Sequence, residues 1–424
     1  MHKTTNPDSI KAFLKGLYER ALAPALPKHA MCDVQWPQVM GRTYVLAAGK
    51  AATQMAAAIY DRLPEDAAGL IVTRQGYAQA DFAPHNFRIV SASHPVPDTA
   101  GADAAQLALA AADGLGEDDL LLVLMSGGAS ALLPAPAEGI SLAEKQAVTR
   151  ALLHSGAPIG EMNIVRKHLS AIKGGRLAAR AWPAATHMLA ISDIPGDDIA
   201  MIGSGPSVAD LSTCADALAI IDHYAIAIPP AIRAQLEQGA LETPKPDDPR
   251  MQTATAEICA RPADMCAEAA AAVTALGYEA IMLGDALEGE AAQLGAEHAK
   301  LALQLQAQRR KAALVSGGEA TVTVRNRDGR GGRCSAYMLA CALALNDAPG
   351  IIGFAADSDG IDGSEDNAGA YLWPGIVEQM GGAAAARQQL ESDNSYAAFA
   401  RADGLLMTGP SGTNVNDLRI LLIG

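Results

Sequence analysis

Short apolar runs alternate along the chain with longer stretches in which apolar residues recur every three or four positions. Continuous apolar runs predict strands buried on both faces of a parallel sheet, and they lie at 43–47, 70–73, 88–90, 120–125, 188–192, 279–283, 312–315 and 351–355. The periodic stretches predict helices, most clearly at 10–21, 262–276 and 288–310. This alternation is typical of an α/β protein whose doubly wound sheet carries helices on both faces.

One stretch interrupts the alternation. Residues 241–262 combine several charges with Pro244, Pro246, Pro249 and Pro262, a composition typical of a linker. We therefore predict an N-terminal domain over 1–243, a linker over 244–262 and a C-terminal α/β region over 263–424. A chain of 424 residues is long enough for such a division.

Composition and charge narrow the classes of partner. The chain has 32 basic and 47 acidic residues, a net charge of -15, which repels nucleic acid and anionic membranes. The apolar runs are too short to span a bilayer. Six scattered cysteines without a C-x-x-C pair indicate free thiols in a reducing compartment. With no signal-peptide pattern at the N-terminus, these features predict a cytoplasmic protein that binds neither nucleic acid nor membrane.

Two strand ends in the N-terminal half carry candidate anion-binding groups. Lys50 lies just after the first strand at a predicted helix start, where its ammonium and the helix N-terminus can attract one phosphate; the alternative is a solvated surface lysine. Residues 126–130 (Ser-Gly-Gly-Ala-Ser) follow the fourth strand. Their backbone amides, with the hydroxyls of Ser126 and Ser130, can bind a carboxylate or phosphate, although a plain tight turn has the same composition.

A basic window and an acidic loop follow. Residues 163–180 hold Arg166, Lys173, Arg176 and Arg180 and contain no Asp or Glu. On one continuous helix these four side chains share a face, which predicts either an anion-binding surface or a solvated basic face. Gly174 and Gly175 lie within this stretch and can interrupt the helix. The loop after the fifth strand holds Asp193, which can orient a hydroxyl or bind a metal, or belong to ordinary turn chemistry.

The C-terminal half repeats the strand-end pattern. The sequence Ser316-Gly317-Gly318-Glu319 follows a strand as the Ser126 loop does. Asp357, Asp359 and Asp362 lie in an acidic loop that lacks the calcium EF-hand spacing but suits magnesium bound together with substrate phosphates. Arg333 ends a glycine- and arginine-rich loop and can grip a phosphoryl group bidentately. From the residues alone we expect a two-domain enzyme that binds a small anion in an interdomain cleft.

The order of short motifs resembles one family, the glycerate 2-kinases with a C-terminal MOFRL domain. The matching stretches lie at residues 47–51, 93–98, 125–130, 163–170, 173–177, 192–198, 203–206, 316–319, 357–363 and 412–417. The resemblance covers nearly the whole chain. It implies a Rossmann-like N-terminal domain, a MOFRL domain over about 312–420 and an active site in the cleft between the two domains.

The resemblance also implies a reaction, in which ATP phosphorylates the 2-hydroxyl of D-glycerate to give 2-phosphoglycerate, with Mg²⁺ as cofactor. Lys50 and Arg333 would be the catalytic cations, and we expect Asp193 to orient or deprotonate the hydroxyl. Magnesium would be bound by Asp357, Asp359 or Asp362. Expected substrate- or nucleotide-binding residues are Ser126, Gly127, Gly128, Ser130, Arg166, Lys173, Ser316, Gly317, Gly318, Glu319 and Asn414. The sequence is also compatible with a homodimer.

One position departs from the family pattern. The family has Asn, one residue and then Glu after the arginine, whereas Cys334, Ser335 and Ala336 follow Arg333 here. This departure supports one alternative function, a non-catalytic sugar-acid sensor. A second alternative is an NAD(P)H-dependent hydroxypyruvate reductase, a label that similar proteins carry. Against the reductase, the chain lacks G-x-G-x-x-G after its first strand.

Overall fold

Strands form where the apolar runs predict them. In the computed structural model, which describes residues 6–424, the strands are β1 (Thr43–Ala48), β2 (Ala68–Arg74), β3 (Phe87–Ala92), β4 (Leu120–Met125), β5 (Ala185–Ile191), β6 (Ala254–Ala260), β7 (Glu279–Gly284), β8 (Ala312–Gly318), β9 (Ile351–Asp357), β10 (Gly369–Leu372), β11 (Leu405–Leu406) and β12 (Asp417–Ile423). Every predicted strand is present within a few residues. The sequence reading missed β6, β10, β11 and β12.

Helices fill the intervals between the strands. They are α1 (Pro7–Leu22), α2 (Pro27–Ala30), α3 (Ala52–Ile59), α4 (Thr99–Asp113), α5 (Ala129–Leu132), α6 (Leu142–His154), α7 (Ile159–His168), α8 (Arg176–Ala181), α9 (Cys214–His223), α10 (Pro230–Glu237), α11 (Pro262–Ala275), α12 (Ala291–Ala307), α13 (Arg333–Leu345), α14 (Ile376–Gln379), α15 (Ala383–Glu391) and α16 (Ser395–Arg401). None of these described helices has both the length and the apolar character needed to cross a membrane.

The chain divides into two units. The N-terminal unit is Ala30–Cys259, and the C-terminal unit combines residues 6–29 with Ala260–Gly424. The sheet of the N-terminal unit has the order β3-β2-β1-β4-β5-β6, with parallel pairing from β3 to β5. This is the strand order of the Rossmann fold, whose direction of winding reverses between β1 and β4. Ligands of such sheets bind outside the carboxyl ends of the strands at this point.

The core of the N-terminal unit is built from small and branched side chains. All six residues of β4 are buried, so the strand at the centre of the sheet touches helices on both faces. On one face Ala104, Ala108 and Ala112 of α4 belong to the same cluster as Leu121 and Val123. Because alanine lets a helix lie close to a sheet, this core closes with few aromatic residues.

The C-terminal unit has a mixed sheet in the order β11-β10-β9-β12-β8-β7. Strand β12 is antiparallel to both β8 and β9, while β7 and β8 are parallel. As a result the start of β12 lies beside the ends of β8 and β9: Asp417 pairs with Gly318 on one side and Asp357 on the other. The helices of this unit pack closely, and a Cβ added to Gly295 in α12 would lie 2.2 Å from the carbonyl oxygen of Tyr337 in α13.

The two units differ from the predicted domain boundaries in two places. Helix α1 belongs to the C-terminal unit, because Tyr18 stacks edge-on against Phe354 at 5.8 Å and its hydroxyl donates to the carbonyl of Asp357 at 3.0 Å. The stretch 244–262, predicted as a linker, contains strand β6, which extends the N-terminal sheet beside β5. The sequence did not predict β6, because prolines lie nearby and its exposed and buried positions alternate only loosely.

The close contact at Gly295 gives a test of the packing of α12 on α13. Gly295→Ala should lower the free energy of unfolding by about 1–3 kcal/mol, because the added methyl group has no room. Gly16→Ala in α1 is the matched control, since no atom of residues 6–424 lies within 4 Å of its added Cβ, and it should raise that free energy by about 0.5–1 kcal/mol. Urea unfolding measures both; an equal response of the two variants would contradict this packing.

Candidate functional site

Three adjacent strands bring predicted site residues to one edge of the N-terminal sheet. Strand β1 lies between β2 and β4, and β4 pairs with β5 in parallel. Lys50 follows β1, the Ser126 loop follows β4, and Asp193 follows β5. Because parallel strands end at the same edge, the three loops are neighbours at the point where the winding reverses.

The turn after β1 is fixed by Ser126. A Cβ on Gly49, whose φ is +130°, would lie 2.1 Å from Ser126 Oγ, so only glycine permits this approach. The buried Ser126 hydroxyl accepts from the Ala51 amide at 3.1 Å, and the Lys50 amide donates to the Gly127 carbonyl at 2.9 Å. Ser126, predicted to bind substrate, therefore holds the turn that carries Lys50 and is not one of the residues lining the nearby cavity.

A cavity of about 340 Å³ opens at this edge of the N-terminal unit. Six predicted site residues line it, namely Gly127, Gly128, Ser130, Arg166, Lys173 and Asp193. Lys50 lies next to this lining, since a Cβ added to Gly128 would be 3.7 Å from Lys50 Cγ and 3.1 Å from His94 Cδ2. The structure thus brings together most of the N-terminal candidates.

Buried positive charge is the main electrostatic feature of the cavity. The Lys173 ammonium donates to the carbonyl of Ser130 at 2.8 Å and also to its hydroxyl. Lys145, on α6, donates to the carbonyls of Ala135 at 3.2 Å and Leu169 at 2.9 Å. Within residues 6–424, neither lysine has an ion pair with a carboxylate.

Burial disfavours the charged form of these lysines, and a bound anion would stabilise that form. Burial, followed by repulsion from Arg166 and Lys167, lowers the pKa of Lys173 to about 7. Burial and neighbouring cations also lower the pKa of Lys145 well below its ordinary value. The Arg166 Nε is buried and has no hydrogen-bond partner in the described part of the chain. An anion bound here would supply both the missing partner and the missing opposite charge.

The basic window does not form the single helical face expected from the sequence. Helix α7 ends at His168, and Gly174 and Gly175, with φ of 58° and 80°, turn the chain before α8 begins. Arg180 consequently points to the surface, where it pairs with Asp113 at 2.5 Å, and Arg176 donates to backbone carbonyls. Of the four residues, Arg166 and Lys173 line the cavity.

In the C-terminal unit, Arg333 is surrounded by carboxylates. Its Nε donates to Asp417 Oδ1 at 2.7 Å, Nη2 to Asp357 Oδ2 at 2.7 Å, and Nη1 to Glu319 Oε1 at 3.0 Å. Burial lowers the pKa of Arg333, but these three charges outweigh it and raise the pKa above its ordinary value. The guanidinium therefore links the ends of β8 and β9 to the start of β12; that it also contacts a phosphate stays a prediction.

A second arginine supports the loop after β8. Arg419, on β12, is 1% exposed; it donates to the Gly317 carbonyl at 2.9 Å and to Asp417 Oδ2 at 2.6 Å. Ser316 is also buried. The glycines of this predicted binding loop are thus packed against the protein: a Cβ on Gly318 would lie 2.1 Å from the Leu287 amide nitrogen.

The three carboxylates predicted to bind metal have different hydrogen-bond and ion-pair partners. Asp357 pairs with Arg333, whereas Asp359 Oδ1 accepts from the Ile361 amide at 2.8 Å. Asp362 accepts from the Cys334 and Ser335 amides at 2.9 and 2.8 Å and so caps the start of α13; burial raises its pKa to about 6. Among residues 6–424, these three do not form one close metal-ligand cluster; that Asp357, Asp359 or Asp362 binds magnesium stays a prediction.

Ser335, one of the residues after Arg333 that differ from the family pattern, has a local structural role. Ser335 donates to the Gly332 carbonyl and accepts from the Gly332 amide at 3.1 Å, which closes the first turn of α13. Arg333 and Gly332 line a second cavity, of about 460 Å³, within the C-terminal unit. Asn414, which is 5% exposed, is not one of the residues lining this cavity.

Several cavity residues of the N-terminal unit were missed by sequence reasoning. The polar ones are His94, Lys145, Gln146, Thr149, Arg150, Asn163 and Ser204. Ser204 lies 2.9 Å from Ser130, oxygen to oxygen. His94 and Ser204 stood within family-like motifs, which was a usable signal. No sequence signal pointed to Lys145, because a lysine inside an amphipathic helix is ordinarily exposed.

Comparisons with known proteins match both halves of the chain. Residues 13–237 match DUF4147, described as a domain of unknown function, and residues 312–417 match the MOFRL family. A D-glycerate 2-kinase of Thermotoga maritima is 35% identical over 99% of this chain and 99% of its own length. A protein of Agrobacterium vitis, provisionally named a hydroxypyruvate reductase, is 45% identical over 99% of this chain and 96% of its own length.

The fold agrees with the sequence match. A crystal structure of glycerate kinase from Thermotoga maritima superposes with a TM-score of 0.87 at 35% identity, covering 99% of this chain and 100% of that chain. The chain therefore belongs to the glycerate kinase family, and it carries both a DUF4147 and a MOFRL region.

Proposed function

We propose that this protein transfers the γ-phosphoryl group of ATP to the 2-hydroxyl of D-glycerate, giving 2-phosphoglycerate. The observation that carries the proposal is the cavity of the N-terminal unit, in which Lys145 and Lys173 are buried and Arg166 is half-buried, and in which none of the three pairs with a carboxylate of residues 6–424. A small hydroxy acid supplies one negative charge on a compact body, which suits this cavity. The relatives named for glycerate phosphorylation support the same substrate.

The carboxylate of glycerate is proposed to bind the cations. Lys173 and the unpartnered Nε of Arg166 are the donors, and the hydroxyls of Ser130 and Ser204 add short polar groups beside them. Charge-assisted hydrogen bonds of this kind are about twice as strong as neutral ones. Asn163, which is buried and lines the same cavity, can donate to a substrate hydroxyl.

Asp193 and Lys50 are proposed to act on the reacting atoms. Asp193 also lines the cavity, where its carboxylate can accept the proton of the 2-hydroxyl or orient it. Phosphoryl transfer needs charge neutralisation and positioning more than covalent help. The Lys50 ammonium, carried on the turn that Ser126 fixes, is proposed to stabilise charge on the transferring phosphoryl group.

ATP is proposed to bring Mg²⁺ with it. Magnesium prefers carboxylate oxygens and keeps several ligands from water and phosphate. Asp357 and Glu319 offer such oxygens and are held side by side by Arg333, whereas both oxygens of Asp362 are engaged by the start of α13. When bound, the metal would neutralise phosphate charge. Arg333 is proposed to position these carboxylates.

Hydroxypyruvate reduction is the second candidate, because a relative at 45% identity carries that name and the N-terminal sheet has the Rossmann strand order. The turn after β1 reads Ala48-Gly49-Lys50-Ala51 and lacks the glycine spacing that nicotinamide enzymes use to approach pyrophosphate. A non-catalytic sensor would bind glycerate in the same cavity without turnover.

A direct assay separates these functions. With D-glycerate, ATP and Mg²⁺ the protein should release ADP and form 2-phosphoglycerate, and with NADH and hydroxypyruvate it should consume no NADH. ADP release is followed by a coupled assay and the product by mass spectrometry with a phosphoglycerate standard. NADH consumption without ADP release would favour the reductase. Glycerate binding without either turnover would favour the sensor.

Lys50→Ala should lower kcat by about 10² or more, because one charged contact to the transition state is worth roughly 3–4 kcal/mol. Lys15→Ala is the matched control, since Lys15 lies on the exposed face of α1 with its side chain 45% exposed. Steady-state kinetics with circular dichroism distinguishes lost chemistry from lost fold. A Lys50→Ala enzyme with wild-type kcat would remove Lys50 from this role.

The pKa of Lys173 gives a pH test. Because that pKa is about 7, the cation is present below this pH and is lost above it, so kcat/KM for glycerate should fall by up to about tenfold per pH unit on the alkaline side. Lys173→Arg keeps its charge over the whole range and should abolish this alkaline limb. A limb that is unchanged in Lys173→Arg would show that another group causes it.

A further inference from the structure

Three metal-binding side chains converge in the N-terminal unit, away from the residues lining the cavity. They are His168 at the end of α7, Cys214 at the start of α9, and Glu242 in the segment before β6. One ligand atom from each lies within 4.8 Å of the other two. Nothing in the proposed phosphoryl transfer uses these side chains.

His168 is oriented as metal-binding histidines are. Its Nδ1 lies 2.9 Å from the carbonyl oxygen of Ile164, so this nitrogen carries the proton and donates it. Its Nε2 is buried, has no hydrogen-bond partner among residues 6–424 and lies 3.5 Å from Glu242 Oε1. The residue is 0% exposed. A backbone carbonyl that fixes one ring nitrogen commonly orients the other toward a metal.

The other two groups suit the same ion. Cys214 is 4% exposed, and its amide donates to Glu242 Oε2 at 3.0 Å, which holds the carboxylate against the thiol. Burial and the neighbouring Glu242 carboxylate raise the pKa of the Cys214 thiol to about 11, so a bound cation is needed to hold the thiolate. The Glu242 side chain is 37% exposed, which leaves a path from solvent to the cluster.

We propose that His168, Cys214 and Glu242 form a Zn²⁺ site with water as the fourth ligand. Imidazole, thiolate and carboxylate are the donors that zinc prefers. Tetrahedral geometry needs ligand atoms about 3.3–3.7 Å apart, so side-chain movements of about 1 Å complete it. The Cys214 S–H proton passes to solvent as the S–Zn bond forms, and the thiolate and carboxylate then balance the metal charge.

One competing contact must change. Lys245 pairs with Glu242 and donates to Thr243 Oγ1 at 2.9 Å. Its side chain is 27% exposed, so the ammonium can turn toward solvent when the metal arrives. The consequence for the fold is local: zinc would join the end of α7 to the start of α9, and α7 carries Asn163 and Arg166 of the cavity.

The test uses the purified full chain and Co²⁺, whose thiolate bond absorbs in the near ultraviolet. After treatment with a chelator and its removal, the wild type should bind about one Zn²⁺ or Co²⁺ per chain, with charge-transfer absorption for Co²⁺. Cys214→Ser should lose that absorption, and Cys32→Ser, which changes an exposed cysteine, should keep it. Zinc should also raise the unfolding temperature of the wild type.

Two results would overturn the site: wild-type protein that binds no stoichiometric metal, or Cys214→Ser protein with an undiminished cobalt spectrum. If Cys214→Ser does not fold, as judged by circular dichroism, a variant of the partly exposed Glu242 is tested in its place. Glu242→Gln should then weaken Zn²⁺ affinity by at least about tenfold, and unchanged affinity would also contradict the site.

Discussion

Burial of positive charge with no carboxylate partner among residues 6–424 is the constraint on which the candidate site depends. In the N-terminal unit, Lys145 and Lys173 are 7% and 2% exposed and are held by backbone carbonyls and a serine hydroxyl. Removing an ammonium from water is unfavourable unless an opposite charge replaces the lost solvation. Backbone carbonyl dipoles replace part of the lost solvation, and a bound anion would replace the rest. The low pKa of Lys173 is the physical sign of that unmet demand.

The C-terminal unit has the opposite feature, a cluster of negative charge. There three carboxylates converge because β12 runs antiparallel between β8 and β9, and Arg333 pairs with all three and so offsets part of their negative charge. The arginine that the family resemblance singles out is therefore also a structural cross-link in this chain. Changes at Arg333 should consequently disturb both the acidic loop and the activity, whereas changes at Lys50 should affect the activity alone.

Residues at the ends of continuous apolar strands were predictable from the sequence. The loops after β1, β4 and β5 lie at one edge as expected, since parallel strands leave no other arrangement. Lys145 was not predictable, because its burial depends on packing between α6 and distant carbonyls. Likewise, the helix-capping role of Asp362 depends on where α13 begins. The two glycines that the sequence places within the basic window, Gly174 and Gly175, do interrupt its helix, so the basic side chains are not aligned on one face.

Proton uptake on binding tests the central claim most directly. If the carboxylate of glycerate binds Lys173, it should raise the pKa of that lysine from about 7, so at about pH 8 the complex should take up close to one proton. Titration calorimetry of D-glycerate in buffers of different ionisation enthalpy measures this number. The account predicts an uptake near one proton in the wild type and near zero in Lys173→Arg. Glycerate binding without proton uptake in the wild type would contradict it.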